Sequence, residues 1–122
     1  MTSKDFRRIA LGMRNAVEGA HMGHPDFRVN NRIFATLHHD LPTGMVKLTP
    51  DQQQTFVRDH AETFAPENGA WGRSGCTRVL LSGVDDDTLG EAMTLAWQNA
   101  VQLSPPKKST RKRSSTPTGT RR

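Results

Sequence analysis

The sequence predicts a two-layer α+β domain, with helices on one face of a largely antiparallel sheet, followed by a disordered basic tail. Three observations support this prediction. Apolar residues recur at helical spacing in two segments of the chain, and capping signals mark a third helix. Short alternating or β-branched segments lie between them, and their connections are mostly of hairpin length. The last 19 residues contain no Ala, Val, Ile, Leu, Met, Phe, Trp, Tyr or Cys, so they cannot bury enough surface to offset the entropy of ordering.

Charge is unevenly distributed along the chain. The 122 residues include 17 Lys and Arg and 12 Asp and Glu, which gives a net charge of +5. Seven of the cations and none of the acids lie in residues 104–122, so residues 1–103 carry a net charge of −2. About 100 residues suffice for one hydrophobic core. We therefore divide the chain into a slightly acidic domain, 1–103, and a basic Ser/Thr/Pro/Lys/Arg tail, 104–122.

Several classes of protein are disfavoured by composition. No segment approaches the roughly 20 apolar residues of a membrane span, and the N-terminal segment lacks the apolar stretch of a signal peptide. The lone Cys76 cannot form an internal disulfide. We expect a cytoplasmic, monomeric protein that does not associate with membranes.

The first predicted element is an amphipathic helix over Lys4–Val17. Its apolar residues recur every three or four positions, Ser3 stands where an N-cap is expected and Gly19 lies just beyond the end. One face of this helix should therefore pack against the core.

Three strands follow, and they form a meander. Phe27–Val29 is joined to Arg32–His38 through two asparagines, which tolerate a left-handed turn. Pro42-Thr43-Gly44 then turns the chain into the third strand, Met45–Leu48. Alternation in the middle strand predicts that Ile33, Ala35 and Leu37 face the helices, and that Phe34, Thr36 and His38 face outward.

The second half contains two further helices and two further strands. Thr49-Pro50-Asp51-Gln52 combines an N-cap, a proline at the first helical position and a capping box, and this helix should run to about His60. Strands are predicted at Thr63–Ala65 and Thr77–Leu81, on either side of a glycine-spaced loop, Gly69–Gly75. Three acids at 85–87 then begin a long helix with the apolar stripe Leu89, Ala92, Met93, Ala96, Ala100 and Leu103.

Three segments in this order resemble a known family. They are Gly23–Val29, Arg32–Leu37, and Gly69–Arg73 followed by Thr77–Val79. Together they are similar to the MmcQ/YjbR family over roughly Phe6–Leu103. The resemblance implies an α-β(3)-α-β(2)-α fold and DNA binding through a wing-like arrangement of the sheet. It supplies no catalytic residues. It marks His24, Pro25, Phe27, Phe34 and Trp71 as motif residues that could take part in an interaction. The chain departs from the family pattern in its basic tail and its net acidic domain.

The tail carries the strongest physical signal for function. Its cations would attract a polyanion, and if all seven neutralised phosphates of a duplex the log-log salt slope would approach about −6. The sequence therefore predicts nucleic-acid binding, most simply of DNA, with little base specificity because phosphate contacts do not read bases. The residues proposed for this role in the tail are Lys107, Lys108, Arg111, Lys112 and Arg113.

The outward face of the sheet could assist the tail. Phe34 with Lys47 and Arg78 would give an aromatic ring and cations on one surface that holds single-stranded bases, although an isolated Phe with flanking charges is also an ordinary strand pattern. In the glycine-spaced loop, exposed N–H groups and Arg73 could form an anion-binding nest. Alternatively, the glycines permit a tight turn and Trp71 fills the edge of the core.

The sequence predicts neither an enzyme nor a metal or cofactor site. The spacing of the five histidines does not place two of them on one helical face. No His or Asp is spaced to complete a nucleophilic site with Cys76. The second hypothesis is a protein-interaction module that receives a peptide or partner on the open sheet face or at the Trp71 loop.

Overall fold

The computed structural model describes residues 1–38 and 42–103, and for Leu103 only the backbone; the predicted disordered tail and its cations lie outside these residues. Helices and strands occur in the order α1 (Ser3–Leu11), β1 (Val17–His21), β2 (His24–Val29), β3 (Arg32–Leu37), β4 (Thr43–Lys47), α2 (Pro50–Asp59), β5 (Phe64–Pro66), α3 (Gly69–Arg73), β6 (Cys76–Leu80) and α4 (Asp86–Leu103).

The strands form one six-stranded sheet with the order β1-β2-β3-β4-β6-β5. Every pairing in it is antiparallel. The predicted α+β class is confirmed, and the predicted meander is extended by one strand. Strand β6 pairs with both β4 and β5, and β5 is the edge strand at the opposite side of the sheet from β1.

The core lies between one face of the sheet and the helices. Helix α4 packs across β2, β3 and β4, and α1 packs against α4 and β3. The predicted stripe of α4 is buried in this core at Leu89, Ala92, Met93, Ala96 and Ala100. Asp85 caps α4, since its carboxylate accepts a hydrogen bond from the Thr88 backbone N–H at 2.7 Å. This hydrogen bond is the main reason that the pKa of Asp85 is lowered.

The first helix is shorter than predicted. It begins after Thr2, which forms a capping box with Asp5 in place of the predicted Ser3 cap, and it ends at Leu11. Asn15 adopts a left-handed conformation with φ 61°, so the chain turns there and Val17 enters β1 instead of the helix. Met13 still packs against the core, which explains why the helical apolar period continued past the end of the helix.

A β-bulge changes which residues of β3 face the core. Phe27 of β2 is opposite Ala35, but the next residue, Arg28, is opposite Ile33, so Phe34 is the extra residue. Phe34 is completely buried with Ala35 and Leu37 in the core. The prediction that Phe34 faces outward and Ile33 faces the helices is therefore wrong, because strict alternation does not hold across a bulge.

The other elements agree with the predictions except in detail. Helix α2 has the predicted Thr49 capping box and Pro50 at its start, and ends one residue before His60. The Asn30-Asn31 turn is left-handed at both residues, with φ 54° and 66°. Strand β4 begins at Thr43, within the segment predicted as a turn. The predicted glycine-spaced loop is instead largely a short helix, α3.

Candidate functional site

A cavity opens on the face of the sheet opposite α1 and α4. Its floor consists of side chains from β3, β4 and β6: Ile33, Thr36, Met45 and Cys76. Its rim is formed by polar and aromatic side chains: His21, His24, His38, Lys47, Glu67, Asn68 and Trp71. We call this the sheet-face cavity; its volume is about 380 Å³. An apolar floor with a few polar groups around it is the usual composition of a ligand pocket.

Part of the rim is held by a buried carboxylate. Asp26 in β2 is completely buried, and its two oxygens accept hydrogen bonds from the Arg28 guanidinium at 2.8 and 2.9 Å. The second oxygen also lies 2.8 Å from Nδ1 of His21. The hydrogen bonds from Arg28, opposed by burial and assisted by His21, lower the pKa of Asp26. Asp26 therefore stays ionised and fixes the His21 ring at the rim.

A second carboxylate holds the opposite side of the rim. Glu67, which follows β5, lies 3.3 Å from Nε2 of His38 and 3.6 Å from Nε of Arg78. Nδ1 of His38 contacts the hydroxyl of Thr43. Arg78 also donates to the Pro66 carbonyl at 3.4 Å. The charge of Arg78 is thus directed toward Glu67 and its own sheet edge.

Trp71 stands at the mouth of the cavity and is 68% exposed. The ammonium group of Lys47 lies over its ring, 5.9 Å from the centroid, within the range of a cation–π contact. The alternative that Trp71 fills the edge of the core is wrong, because the side chain lies on the surface as part of α3. Gly72 allows α3 to pack there, since a Cβ at this position would lie 1.7 Å from the Glu67 carbonyl oxygen.

A second depression adjoins the cavity at the end of the sheet where β2 ends and β3 begins. It shares Ile33, Lys47, Trp71 and Cys76 with the sheet-face cavity. Its other side includes Ala96, Asn99 and Ala100 of α4. We call this the sheet-end groove; its volume is about 610 Å³. The cavity and the groove therefore form one continuous surface with Trp71 at their junction.

The sheet-end groove is positively charged. Among the described residues, its lining includes Arg28, Arg32 and Lys47 and no acidic side chain. Arg28 is neutralised in part by Asp26, whereas Arg32 and Lys47 form no salt bridge with an acid in residues 1–38 and 42–103. The groove therefore has a local positive charge within a domain that is acidic on average.

A comparison with protein-family models identifies the chain. The YjbR family model matches residues 11–99, which is more than half of the sequence. The chain belongs to the YjbR family. The resemblance inferred from the motifs is confirmed by this match.

Solved structures show the same fold as this YjbR-family protein. A Deinococcus radiodurans protein described by the family-model domain DUF419 superposes with a TM-score of 0.73 at 19% identity, over 87% of this chain and 83% of that one. A Pseudomonas syringae protein superposes with a TM-score of 0.68 at 14% identity, over 82% of this chain and 99% of that one. A search of curated proteins found no match.

The predicted cations of this YjbR-family domain do not converge at one place. Lys47 lines both the cavity and the groove, but Arg78 faces Glu67 and Arg73 lies on α3 outside both linings. Of the motif residues, His24 and Trp71 line the cavity, Phe27 and Phe34 are core residues, and Pro25 is half-buried within β2. The segment of the predicted glycine nest is helical from Gly69 to Arg73, and the backbone N–H groups of Ser74 and Gly75 donate to the carbonyls of Ala70 and Gly72.

Sequence reasoning missed His21, Asp26, Arg28 and Arg32 as site residues. The alternation of His24, Asp26 and Arg28 was available as a signal, since every second residue of a strand shares one face. Arg32 could not be found in this way because the bulge and the turn before it decide where its side chain lies.

Burial raises the pKa of the Cys76 thiol, which favours the neutral, unreactive form. No group of three or more His, Cys, Asp or Glu side chains in residues 1–38 and 42–103 is arranged to hold a metal ion.

None of the described helices is long and apolar enough to cross a membrane.

Proposed function

We propose that this YjbR-family protein is a non-enzymatic nucleic-acid-binding protein in which the sheet-end groove and the basic tail act together. The observation that carries this proposal is the charge of the groove: no acid is among the described residues that line it, and its cations Arg32 and Lys47 form no salt bridge with a described acid. Phosphate binding by Lys and Arg supplies most of the affinity of such proteins.

The position of the tail supports the proposal. Ala100 of α4 lines the groove, and α4 ends at Leu103. The seven cations of residues 104–122 therefore follow directly after an element that borders the groove. A strand bound in the groove would lie within reach of the tail, and the two sets of cations would add their phosphate contacts.

Charge removal in the groove tests the proposal. Arg32→Ala and Lys47→Ala should each weaken binding to DNA and RNA oligonucleotides and reduce the log-log salt slope by about 1. Lys4→Ala is the matched control, because Lys4 is an exposed cation on α1 that lines neither the groove nor the cavity. Equal effects of the three substitutions in a salt-titrated anisotropy assay would contradict a groove-specific role.

The apolar floor of the sheet-face cavity favours a second candidate function, that of a protein-interaction module. In this case a side chain of a partner peptide would enter the cavity beside Trp71. The partner should remain bound after nuclease treatment and at high salt, and Trp71→Ala should release it. If every captured partner is lost on nuclease treatment, this candidate fails.

A further inference from the structure

The sheet-face cavity and the sheet-end groove differ in chemistry but share their central residues. The floor of the cavity has the apolar side chains Ile33 and Met45, with Thr36 beside them, whereas the groove carries the cations Arg32 and Lys47. Trp71 belongs to both linings and is largely exposed. A ligand that spans the two would need an apolar part joined to an anion.

We infer that this surface binds a single strand of nucleic acid, with one unstacked base in the sheet-face cavity against Trp71 and the adjoining phosphate in the sheet-end groove. The inference rests on the proposed function and adds the strandedness and the binding mode. Charge complementarity points to this occupant, because the groove beside the apolar cavity offers cations and no acid among its described lining residues. A base in a duplex is stacked and paired, so it cannot enter such a cavity without being extruded.

The rim offers hydrogen-bonding groups for the edge of a base. Asn68 carries both an amide donor and an amide acceptor, and His21 is held in place by Asp26 at 2.8 Å. The Trp71 ring supplies the stacking surface, and Lys47 lies 5.9 Å from its centroid, between cavity and groove. Aromatic stacking of this kind tolerates any base, so the mode predicts a preference for single strands with modest base selectivity.

Full-length protein and three labelled probes of equal length test this binding mode: a single-stranded DNA oligonucleotide, the same backbone with abasic sugars, and a duplex. We expect the single strand to bind more tightly than the abasic strand at the same ionic strength, by roughly 5- to 100-fold. Trp71→Ala should lower single-strand affinity to the abasic level and leave abasic binding unchanged.

A second variant tests the cavity itself. Thr36→Phe places a ring on the cavity floor and should also remove the preference for the single strand. Val17→Phe is the matched control, since it adds the same ring on β1 at an exposed position outside both linings. Thermal unfolding confirms that each variant is folded, and the exposed position of Trp71 keeps that test independent of core packing.

The outcomes separate this inference from the proposed function. Equal binding of normal and abasic strands, or duplex binding as tight as single-strand binding, would each overturn the binding mode while leaving nucleic-acid binding in place. Absence of binding to all three oligonucleotide probes would overturn both. A single-strand preference lost in Trp71→Ala and Thr36→Phe but kept in Val17→Phe would support the inference.

Discussion

Asp26 shows how a single buried carboxylate organises the exposed face of the sheet. It receives two hydrogen bonds from Arg28 and one contact from His21, all at 2.8 to 2.9 Å. Asp26→Asn removes the charge and leaves Arg28 without its ionic partner, so we expect the free energy of unfolding to fall by about 2 kcal/mol. Chemical denaturation measures this loss. Asp59→Asn is the control: Asp59 pairs with Arg58 on an exposed helix end, and its change should be much smaller.

The same carboxylate predicts a pH dependence. Its pKa is lowered from an ordinary value near 3.8 in the folded protein. At a pH between the folded and the unfolded pKa of Asp26, the unfolded chain binds more protons than the folded chain. The stabilisation by the ionised Asp26 carboxylate is therefore complete above about pH 4 and is lost as the pH falls through the folded pKa. The stability difference between the wild type and Asp26→Asn should therefore shrink as the pH falls from about 4 through the folded pKa. A difference that stays constant down to about pH 2 would show that the lost interaction is not ionic.

At the scale of elements, the turn between α3 and β6 depends on Gly75. Its φ is +114°, and a Cβ there would lie 1.9 Å from the Leu48 carbonyl oxygen. Gly75→Ala should therefore destabilise the fold by at least about 2 kcal/mol, and it should disturb the position of Trp71. Gly90→Ala is the opposite case. Gly90 lies within α4, and a Cβ added there would meet no atom within 4 Å. This change should therefore stabilise the protein by about 0.5–1 kcal/mol. Thermal unfolding of the two variants should give shifts of opposite sign.

Elements with local signals were predictable from the sequence, and those that depend on distant contacts were not. The Thr49 capping box and the Asn30-Asn31 turn are formed by neighbouring residues, and both were found. Strand β1 is an edge strand with the sequence Val-Glu-Gly-Ala-His, which has weak β-propensity. It exists because β2 provides its pairing partner. The bulge at Phe34 likewise depends on the register between β2 and β3, which no local pattern revealed.

The candidate site illustrates the same limit for function. Lys47 and Trp71 were identified from the sequence, but their 5.9 Å contact depends on the pairing of β4 with β6 and on the short helix before β6. Arg32 lines the groove together with residues of α4, which packs across β2, β3 and β4. The charge balance of residues 1–103, −2, concealed this local cluster, because an average over a domain does not report where the charges lie.

At the scale of the whole molecule, the domain and the tail should contribute separately to binding. A chain that ends at Leu103 keeps the core, which is formed by residues up to Ala100, so its thermal unfolding should match that of the full chain. It should lose affinity for nucleic acid, and if all seven tail cations contact phosphates the log-log salt slope should fall by about 5 on a single strand, from roughly 0.7 per contact.

Truncation should leave the preference for a single strand over an abasic strand intact, because that preference belongs to the cavity and Trp71. The affinities of the full and the truncated chain for both probes, titrated with salt, measure the two contributions together. An unchanged salt slope after truncation would show that the tail does not bind nucleic acid. A lost single-strand preference would show that the bases contact the tail and not the sheet, since the lining residues named for the cavity all lie within residues 1–103.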